Sequence, residues 1–197
     1  MRRTLAPLAA LAALALITPA SAGSFSYADP KDQPANGGFD ILSVSYSTLG
    51  KGTGKRYVPA TLVASMTLSA APVKQAGVGY IVAAQVEGCG DVTFSYTPGT
   101  VASGILGEAL LFVGCGGATD PTGSDSQILT PKFAITGSTL TWSMALKALP
   151  KAVRAGAVLT EMESIVDVVE PAFGTRPIGV GPGLLDTATT EQTWRIS

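Results

Sequence analysis

The sequence predicts an all-β fold, an antiparallel β-sandwich (jelly-roll or immunoglobulin-like) of about ten short strands. Apolar and polar residues alternate with a period of two over much of the chain, which is the pattern of strands with one buried face. The 23 Gly and 13 Pro residues, out of 197, supply frequent turn signals. No long segment shows clean helical spacing of apolar residues. Many short strands separated by turns are typical of a sandwich or barrel.

The first two strand candidates lie on either side of an acidic loop. They are Ser24–Tyr27 and Asp40–Ser47, and the loop between them, Asp29–Gly38, is rich in Asp, Pro and Gly. In the second candidate the alternation places Ile41, Ser43 and Ser45 on one face and Leu42, Val44 and Tyr46 on the other. Gly50–Arg56, with several Gly and Lys residues, is predicted to be a hairpin loop.

Four further candidates fill the middle of the chain. Their boundaries follow from Pro and Gly breaks: Thr61–Ser69, Val78–Glu87, Asp91–Thr97 and Gly107–Val113. In the first of these, one face is expected to carry Leu62, Ala64, Met66 and Leu68. The segment Gly116–Ser126 is predicted to be a loop because it is rich in Gly, Asp, Thr and Ser.

The clearest hairpin comes next, with Lys132–Thr136 and Thr139–Leu146 joined by Gly137-Ser138, a turn of type II′ or I′. Ala152–Val169 is ambiguous between helix and strand, and its Gly and β-branched residues favour a strand over Ala157–Asp167. The remaining predictions are a short helical turn at Lys147–Ala152, a loop at Pro171–Gly183 and a last strand at Thr193–Ile196.

Residues 1–22 have the features of an export signal. Arg2 and Arg3 form a basic start, Leu5–Pro19 is apolar, and Ala20-Ser21-Ala22 provides a small-residue cleavage site. The sequence therefore predicts cleavage after Ala22, a secreted or extracellular protein with no membrane insertion after signal removal, and a single β-sandwich domain over residues 23–197. General secretion is favoured over the twin-arginine route, which the arginine pair leaves open.

Composition excludes several classes of function. Without the two signal arginines the chain carries 11 basic and 14 acidic residues, so we expect no nucleic-acid partner, which would need basic clusters. The absence of histidine excludes Ser-His and Cys-His catalysis and His-metal sites. Ser-x-x-Lys and Gly-x-Ser-x-Gly motifs are absent as well, and we expect no enzyme.

A pair of carboxylates for glycoside hydrolysis is the remaining catalytic option. Nothing in the sequence singles out two of the glutamates that could supply it, which are Glu87, Glu108, Glu161, Glu163 and Glu170. Glu161 and Glu163 are two residues apart, so on a strand both would face one side, most simply the solvent.

The two cysteines, Cys89 and Cys115, are predicted to form a structural disulfide, because an exported chain folds in an oxidising compartment. The loop they close spans 26 positions, and chain entropy gives such a bridge roughly 3–4 kcal/mol of stabilisation. A redox-active pair would usually have the close spacing of Cys-x-x-Cys.

The acidic loop is the candidate metal site. Asp29, Asp32 and Asp40, with Asn36 between them, offer the hard oxygen ligands that calcium prefers. Asp and Asn also start ordinary turns by bonding their own backbone, and this alternative stays open. Asp120–Asp125 is a second such loop. Asp186 would join the first loop if the first and last strands were neighbours. We expect either no cofactor or a structural calcium ion.

The aromatic residues do not predict a sugar-stacking platform. Trp142 is in phase with Leu140 and Met144, and Trp194 is in phase with Ile196, so both tryptophans are expected in the core. The five tyrosines are scattered over the strand candidates.

Several of these features together resemble a known group of proteins. The acidic loop at Asp29-Pro30 precedes a strand starting at Asp40-Ile41, and a Gly-Cys-Gly turn, the Leu149-Pro150 turn and a strand after Gly156 follow. The arrangement resembles secreted bacterial β-sandwich proteins of unknown function. It is remotely similar to the DOMON-like and family-9 carbohydrate-binding modules. The resemblance implies a sandwich fold, with Asp29, Asp32 and Asp40 as calcium ligands.

These observations together predict a general class of function. We expect a secreted, non-catalytic binding module of the extracellular space or cell envelope, with a glycan or an envelope protein as partner. A structural or protein-interaction domain without a small-molecule ligand is the alternative, and an atypical hydrolase is the third option.

Overall fold

The computed structural model describes residues 20–29, 39–74, 78–98, 107–115, 126–168 and 184–197, and within these ranges the chain forms twelve strands. The strands are β1 Ala20–Ala28, β2 Ile41–Lys51, β3 Val58–Leu68, β4 Val78–Val86, β5 Gly90–Thr97, β6 Glu108–Gly114, β7 Ser126–Leu129, β8 Lys132–Thr136, β9 Thr139–Ala145, β10 Val158–Val168, β11 Leu184–Thr190 and β12 Trp194–Arg195.

The strands form two antiparallel sheets, and the predicted sandwich is confirmed. One sheet has five strands in the order β1-β2-β3-β9-β8. The other has seven, in the order β11-β10-β4-β5-β6-β7, with β12 paired to β10. The inward side chains of both sheets form one continuous hydrophobic core, as expected when two half-buried sheets cover each other.

The alternation that predicted the strands also places their buried faces. Leu62, Ala64, Met66 and Leu68 of β3 are all buried, as the sequence predicts. On β9, Leu140, Trp142, Met144 and the following Leu146 are buried too. These two strands pair with each other in the five-stranded sheet, so their apolar faces form one side of the core.

The face assignment in β2 was wrong at its start. Ile41 is buried with Val44 and Tyr46, whereas Leu42 is 40% exposed. The cause is a register shift between Ile41 and Ser43 in the pairing with β3. An irregularity of this kind inserts one residue and reverses the alternation on one side of it.

Two strands were not predicted. The loop prediction Gly116–Ser126 ends where β7 begins, and residues 116–125 lie outside the described part. β7 has no apolar-polar alternation to reveal it, because all its residues are exposed or half-buried. β11 follows a Gly- and Pro-rich segment and is rich in threonine. The predicted last strand, Thr193–Ile196, is the two-residue β12.

The short helical and turn predictions are largely confirmed. Single turns of 3-10 helix occupy Leu146–Ala148 and Lys151–Val153, and the predicted loop at Gly50–Arg56 contains another at Gly54–Arg56. Gly137 has φ 60°, and no positive φ occurs at Ser138, which selects the type II′ turn. The ambiguous segment is a strand, β10, close to the predicted boundaries.

The predicted signal-cleavage site lies inside β1. The strand begins at Ala20, and a register irregularity separates Ser21 from Ser24 in its pairing with β2. Residues 1–19 lie outside the described part of the chain. Cleavage after Ala22 would leave the ladder from Ser24 to Ala28 in place.

Hydrogen bonds from the buried side chains of Tyr46 and Trp142 connect the two sheets. The Tyr46 hydroxyl donates to the Ala83 carbonyl oxygen at 2.8 Å, and Trp142 Nε1 donates to the Ser95 carbonyl oxygen at 3.0 Å. Burial raises the pKa of Tyr46 well above its usual value. Within the described ranges, no helix has the length and apolar character needed to cross a membrane.

Candidate functional site

A surface depression of about 700 Å³ lies on the seven-stranded sheet, over β4, β10 and β11. Its volume falls in the range of ligand-binding clefts, roughly 300–1,000 Å³. Its lining comes from three neighbouring strands, the start of β5 and the residue after β11. The lining residues are Ala83, Ala84, Gln85, Asp91, Thr160, Glu161, Met162, Glu163, Thr189, Thr190 and Glu191.

A β-bulge in β10 shapes one wall of the depression. Leu159 and Met162 are both buried, although a regular strand would send residues three apart to opposite faces. The pairing of β10 with β4 shifts register between Thr160 and Glu163, and Glu161 has φ 45°. A bulge of this kind re-aims side chains. Because of the bulge, the side chains of Thr160, Glu161 and Glu163 all lie on the outer face of the sheet. A regular strand would place Thr160 on the opposite face from Glu163.

The floor is low because its residues are small. Ala83 of β4 lies directly opposite Glu163 in the sheet, and Thr189 of β11 lies opposite Glu163 on the other side. This cross-strand row therefore has a methyl group at one end, a carboxylate in the middle and a hydroxyl at the other end. Side chains opposite each other in a sheet stand about 5 Å apart, so the three groups face the same part of the depression.

A second cross-strand row closes the depression toward β5. Gln85 of β4 pairs with Thr160 on one side and with Asp91 on the other. The Gln85 amide, through Nε2, donates a hydrogen bond to Asp91 Oδ1. This bond fixes the orientation of both side chains.

The depression is strongly acidic. Four of the described lining residues carry carboxylates, namely Asp91, Glu161, Glu163 and Glu191, and among these described residues none is basic or aromatic. A concave surface lined by charges of one sign concentrates the electric field and raises the local concentration of ligands of opposite sign. Its binding groups are hydrogen-bond acceptors, together with threonine hydroxyls that can donate or accept.

The structure separates the five glutamates that the sequence offered. Glu161 and Glu163 line the depression together, as their spacing suggested. Glu87 and Glu108 do not line it, and Glu170 lies outside the described residues. Asp91 and Glu191 were missed, since only strand register and the bulge bring them to the same place as Glu161.

A separate acidic cluster lies where the two sheets meet. One carboxylate oxygen from each of Asp29, Asp40 and Asp186 lies within 4.8 Å of the others, and all three residues are half-buried. Asp29 follows β1, Asp40 precedes β2, and Asp186 belongs to β11 of the other sheet. The Ile41 N–H donates to Asp186 Oδ2 at 2.6 Å, which holds this carboxylate across the gap.

The structure brings two of the three predicted calcium ligands together. Asp29 and Asp40 lie in the cluster, and Asp186 joins them across the two sheets, since β11 contacts β1 and β2. Asp32 lies outside the described residues, as do Asn36 and the second loop from Asp120 to Asp125. Calcium-oxygen distances are about 2.3–2.6 Å, so two ligands of one ion lie at most about 5 Å apart, and this spacing fits.

The tryptophans are buried, as predicted. Trp142 and Trp194 both belong to the core, and the Trp194 ring stacks on Tyr46 at 6.3 Å. An aromatic residue does line a second, more apolar depression of about 530 Å³, where Tyr57 lies with Pro59 and Arg195. Tyr57 donates its hydroxyl proton to Thr48 Oγ1 at 3.2 Å, and Arg195 Nη1 donates to the Gly156 carbonyl oxygen at 2.8 Å.

Comparisons of the chain with protein-family models, with curated proteins and with solved structures found no match. The function is therefore inferred from the geometry of the sites themselves.

Proposed function

We propose that this chain is a secreted, non-catalytic binding module of the extracellular space or cell envelope, and that a glycan binds in the acidic depression over β4, β10 and β11. The supporting observation is the depression itself, a concave surface with acidic and threonine side chains that is built on paired strands. Sites built on strands hold their side chains more firmly than sites built on loops.

The lining chemistry suits sugar hydroxyls. Glu163 and Glu161 can each accept hydrogen bonds from two hydroxyl groups, and Thr160 can both donate and accept. Hydrogen bonds to an ionised carboxylate contribute more than those between neutral groups, about 1.5–3 kcal/mol. Since no aromatic residue is among the described residues of the lining, we expect hydrogen bonds rather than ring stacking to supply the affinity.

Replacing Glu163 with glutamine should weaken glycan binding by about fivefold, because a charged acceptor in the middle of the depression becomes a neutral amide and its hydrogen bond loses about 1 kcal/mol. Isothermal titration calorimetry of residues 23–197 against a panel of soluble envelope and plant glycans measures this. Glu108→Gln is the matched control, since Glu108 is exposed on β6 outside the depression. Equal losses in both variants, or no loss in Glu163→Gln, would contradict the proposed site.

The same panel separates a binding module from a hydrolase. A binding module leaves the glycan intact after long incubation. Release of new reducing ends that Glu161→Gln or Glu163→Gln abolishes would instead identify the two glutamates as a catalytic pair. That outcome would overturn the non-catalytic part of the proposal.

We also propose that the Asp29, Asp40 and Asp186 cluster holds a structural calcium ion. Three carboxylates at this spacing repel one another, and a divalent cation bound between them would relieve that repulsion. The ion would connect the end of β1 and the start of β2 to β11 of the opposite sheet. It would add stability without taking part in glycan binding.

Calcium at about 100 times its dissociation constant should stabilise the fold by about 2.7 kcal/mol and raise the melting temperature by about 5–10 °C. Asp40→Asn should abolish the shift, whereas Asp91→Asn, outside the cluster, should retain it. Thermal unfolding in EDTA, calcium and magnesium measures both. An unchanged melting temperature in wild-type protein with calcium would remove the ion from the proposal.

A protein-interaction domain is the second candidate, favoured by one observation. Phe112 of β6 and Ile128 of β7 pair at the edge of the seven-stranded sheet and are 39% and 71% exposed. Exposed apolar groups on an edge strand favour contact with another protein. A glycan panel without any binding would make this the leading function.

A further inference from the structure

We infer that the glycan of the acidic depression carries free amino groups, so that the ligand is a cationic amino sugar polymer. This inference rests on the proposed function, since it names the class of glycan that the same site binds. It depends on the combination of concave shape, charge and lining composition, and not on the number of acidic residues alone.

The described lining of the depression carries negative charge without a basic residue beside it in the lining. Four carboxylates line the depression, and none of the described residues that line it is basic. Binding a neutral glycan would keep these like charges together and remove part of their water. Binding an ammonium group offsets the same repulsion, and a partly exposed carboxylate-ammonium pair contributes about two- to fivefold in affinity.

A metal ion does not fit the depression as well as an extended cation does. Within the described residues, three acidic groups have ligand oxygens within 4.8 Å of one another at Asp29, Asp40 and Asp186. The carboxylates of the depression do not form such a group. They are distributed along cross-strand rows, with Glu163 in one row and Asp91 in the next. This distribution suits charges repeated along a polymer.

The uncharged lining residues fit the sugar rings that carry the amines. Thr160 and Thr189 lie in the two rows beside the carboxylates, where their hydroxyls can bond ring hydroxyls. The small side chain of Ala83, opposite Glu163, leaves room for the ring on the floor. A flexible basic peptide could pair its cations with the carboxylates, but it would offer the threonine hydroxyls fewer hydrogen-bond partners.

The test compares three probes on residues 23–197 by calorimetry: short β-1,4-linked glucosamine oligomers, N-acetylglucosamine oligomers of equal length, and oligolysine of equal charge. We expect the glucosamine oligomers to bind about tenfold more tightly than the acetylated ones. Raising the salt from about 0.05 to 0.5 M should remove most of that difference, because screening weakens exposed charge pairs.

Substitutions of the glutamates in the depression test whether they account for the affinity for glucosamine oligomers. The double variant Glu161→Gln/Glu163→Gln should lose about four- to 25-fold in affinity for glucosamine oligomers, at two- to fivefold for each charge. It should lose less for the acetylated oligomers. Glu108→Gln should behave as wild type, and an unchanged circular dichroism spectrum confirms that each variant is folded.

The outcomes distinguish the two proposals. Equal affinity for the amino and acetylated oligomers would overturn the amino sugar inference and leave glycan binding standing. Binding of a neutral glycan without binding of the glucosamine oligomers would also overturn the amino sugar inference and leave glycan binding standing. No binding of any glycan would overturn the proposed function and the inference with it. Oligolysine binding as tightly as the glucosamine oligomers would show charge attraction without sugar recognition and would overturn the inference.

Discussion

Replacing Trp142 with alanine should lower the free energy of unfolding by about 3–5 kcal/mol, as for other buried tryptophans. The indole belongs to the core between the two sheets and is fully buried. It packs against Phe133 of β8 at 5.3 Å and against Phe94 of the opposite sheet at 6.5 Å between ring centroids. The substitution therefore leaves a cavity between the sheets.

The loss also includes a hydrogen bond. Trp142 Nε1 donates to the Ser95 carbonyl oxygen, and the alanine variant leaves that carbonyl without its indole donor. Trp142→Phe keeps most of the packing and should cost less, about 1–3 kcal/mol, from the lost hydrogen bond and the smaller ring. Ile128→Ala, on the exposed side of β7, should change stability by less than about 0.5 kcal/mol.

Urea unfolding followed by far-ultraviolet circular dichroism measures all three variants, because the alanine variant removes one of the two tryptophans and alters fluorescence. A Trp142→Ala protein as stable as wild type would contradict the core position. If this variant kept the stability of wild type and lost only glycan binding, the indole would belong to a ligand site.

Replacing Cys89 with serine should lower the free energy of unfolding by about 2–5 kcal/mol. The disulfide joins the turn between β4 and β5 to the end of β6, across 26 positions of sequence. Breaking it releases this loop in the unfolded chain, which gains entropy. Beside the bridge the backbone of Gly90 lies close to Gly114, since a Cβ on Gly90 would lie 2.2 Å from the Gly114 carbonyl oxygen.

Three samples isolate the effect of the bridge. Reduced wild-type protein and the double variant Cys89→Ser/Cys115→Ser should match each other and lie close to the single variant. Thiol titration of unfolded, unreduced wild-type protein should detect no free thiol, because both cysteines are bonded. Two titratable thiols in that sample would show that the bridge does not form.

The sequence predicted those parts of the fold in which burial imposes alternation. β3 and β9 have one face in the core, so their period-two pattern predicts both the strand and its orientation. β7 lacks this signal because none of its residues is fully buried. In β2 the pattern was read one residue out of phase at Ile41, because a register shift in the pairing with β3 is invisible in a single sequence.

The candidate sites were predictable only where their residues are neighbours in sequence. Glu161 and Glu163 stood out by their spacing, and Asp29 and Asp40 by their shared loop. Asp186 is 146 positions from Asp40, and the pairing of strands into two sheets brings them together. The bulge at Glu161 could not be predicted from the sequence either, because the residue with the positive φ is not a glycine.

The most direct test of ligand binding in the depression is an amide chemical-shift titration of ¹⁵N-labelled residues 23–197 with the tightest-binding glycan. We predict the largest shifts at Ala83, Gln85, Thr160, Glu161, Glu163 and Thr189, on the three strands that line the depression. Glu163→Gln should reduce all of them at equal glycan concentration. Shifts centred instead on Tyr57 and Arg195, or no saturable shift with any glycan, would contradict the proposed site.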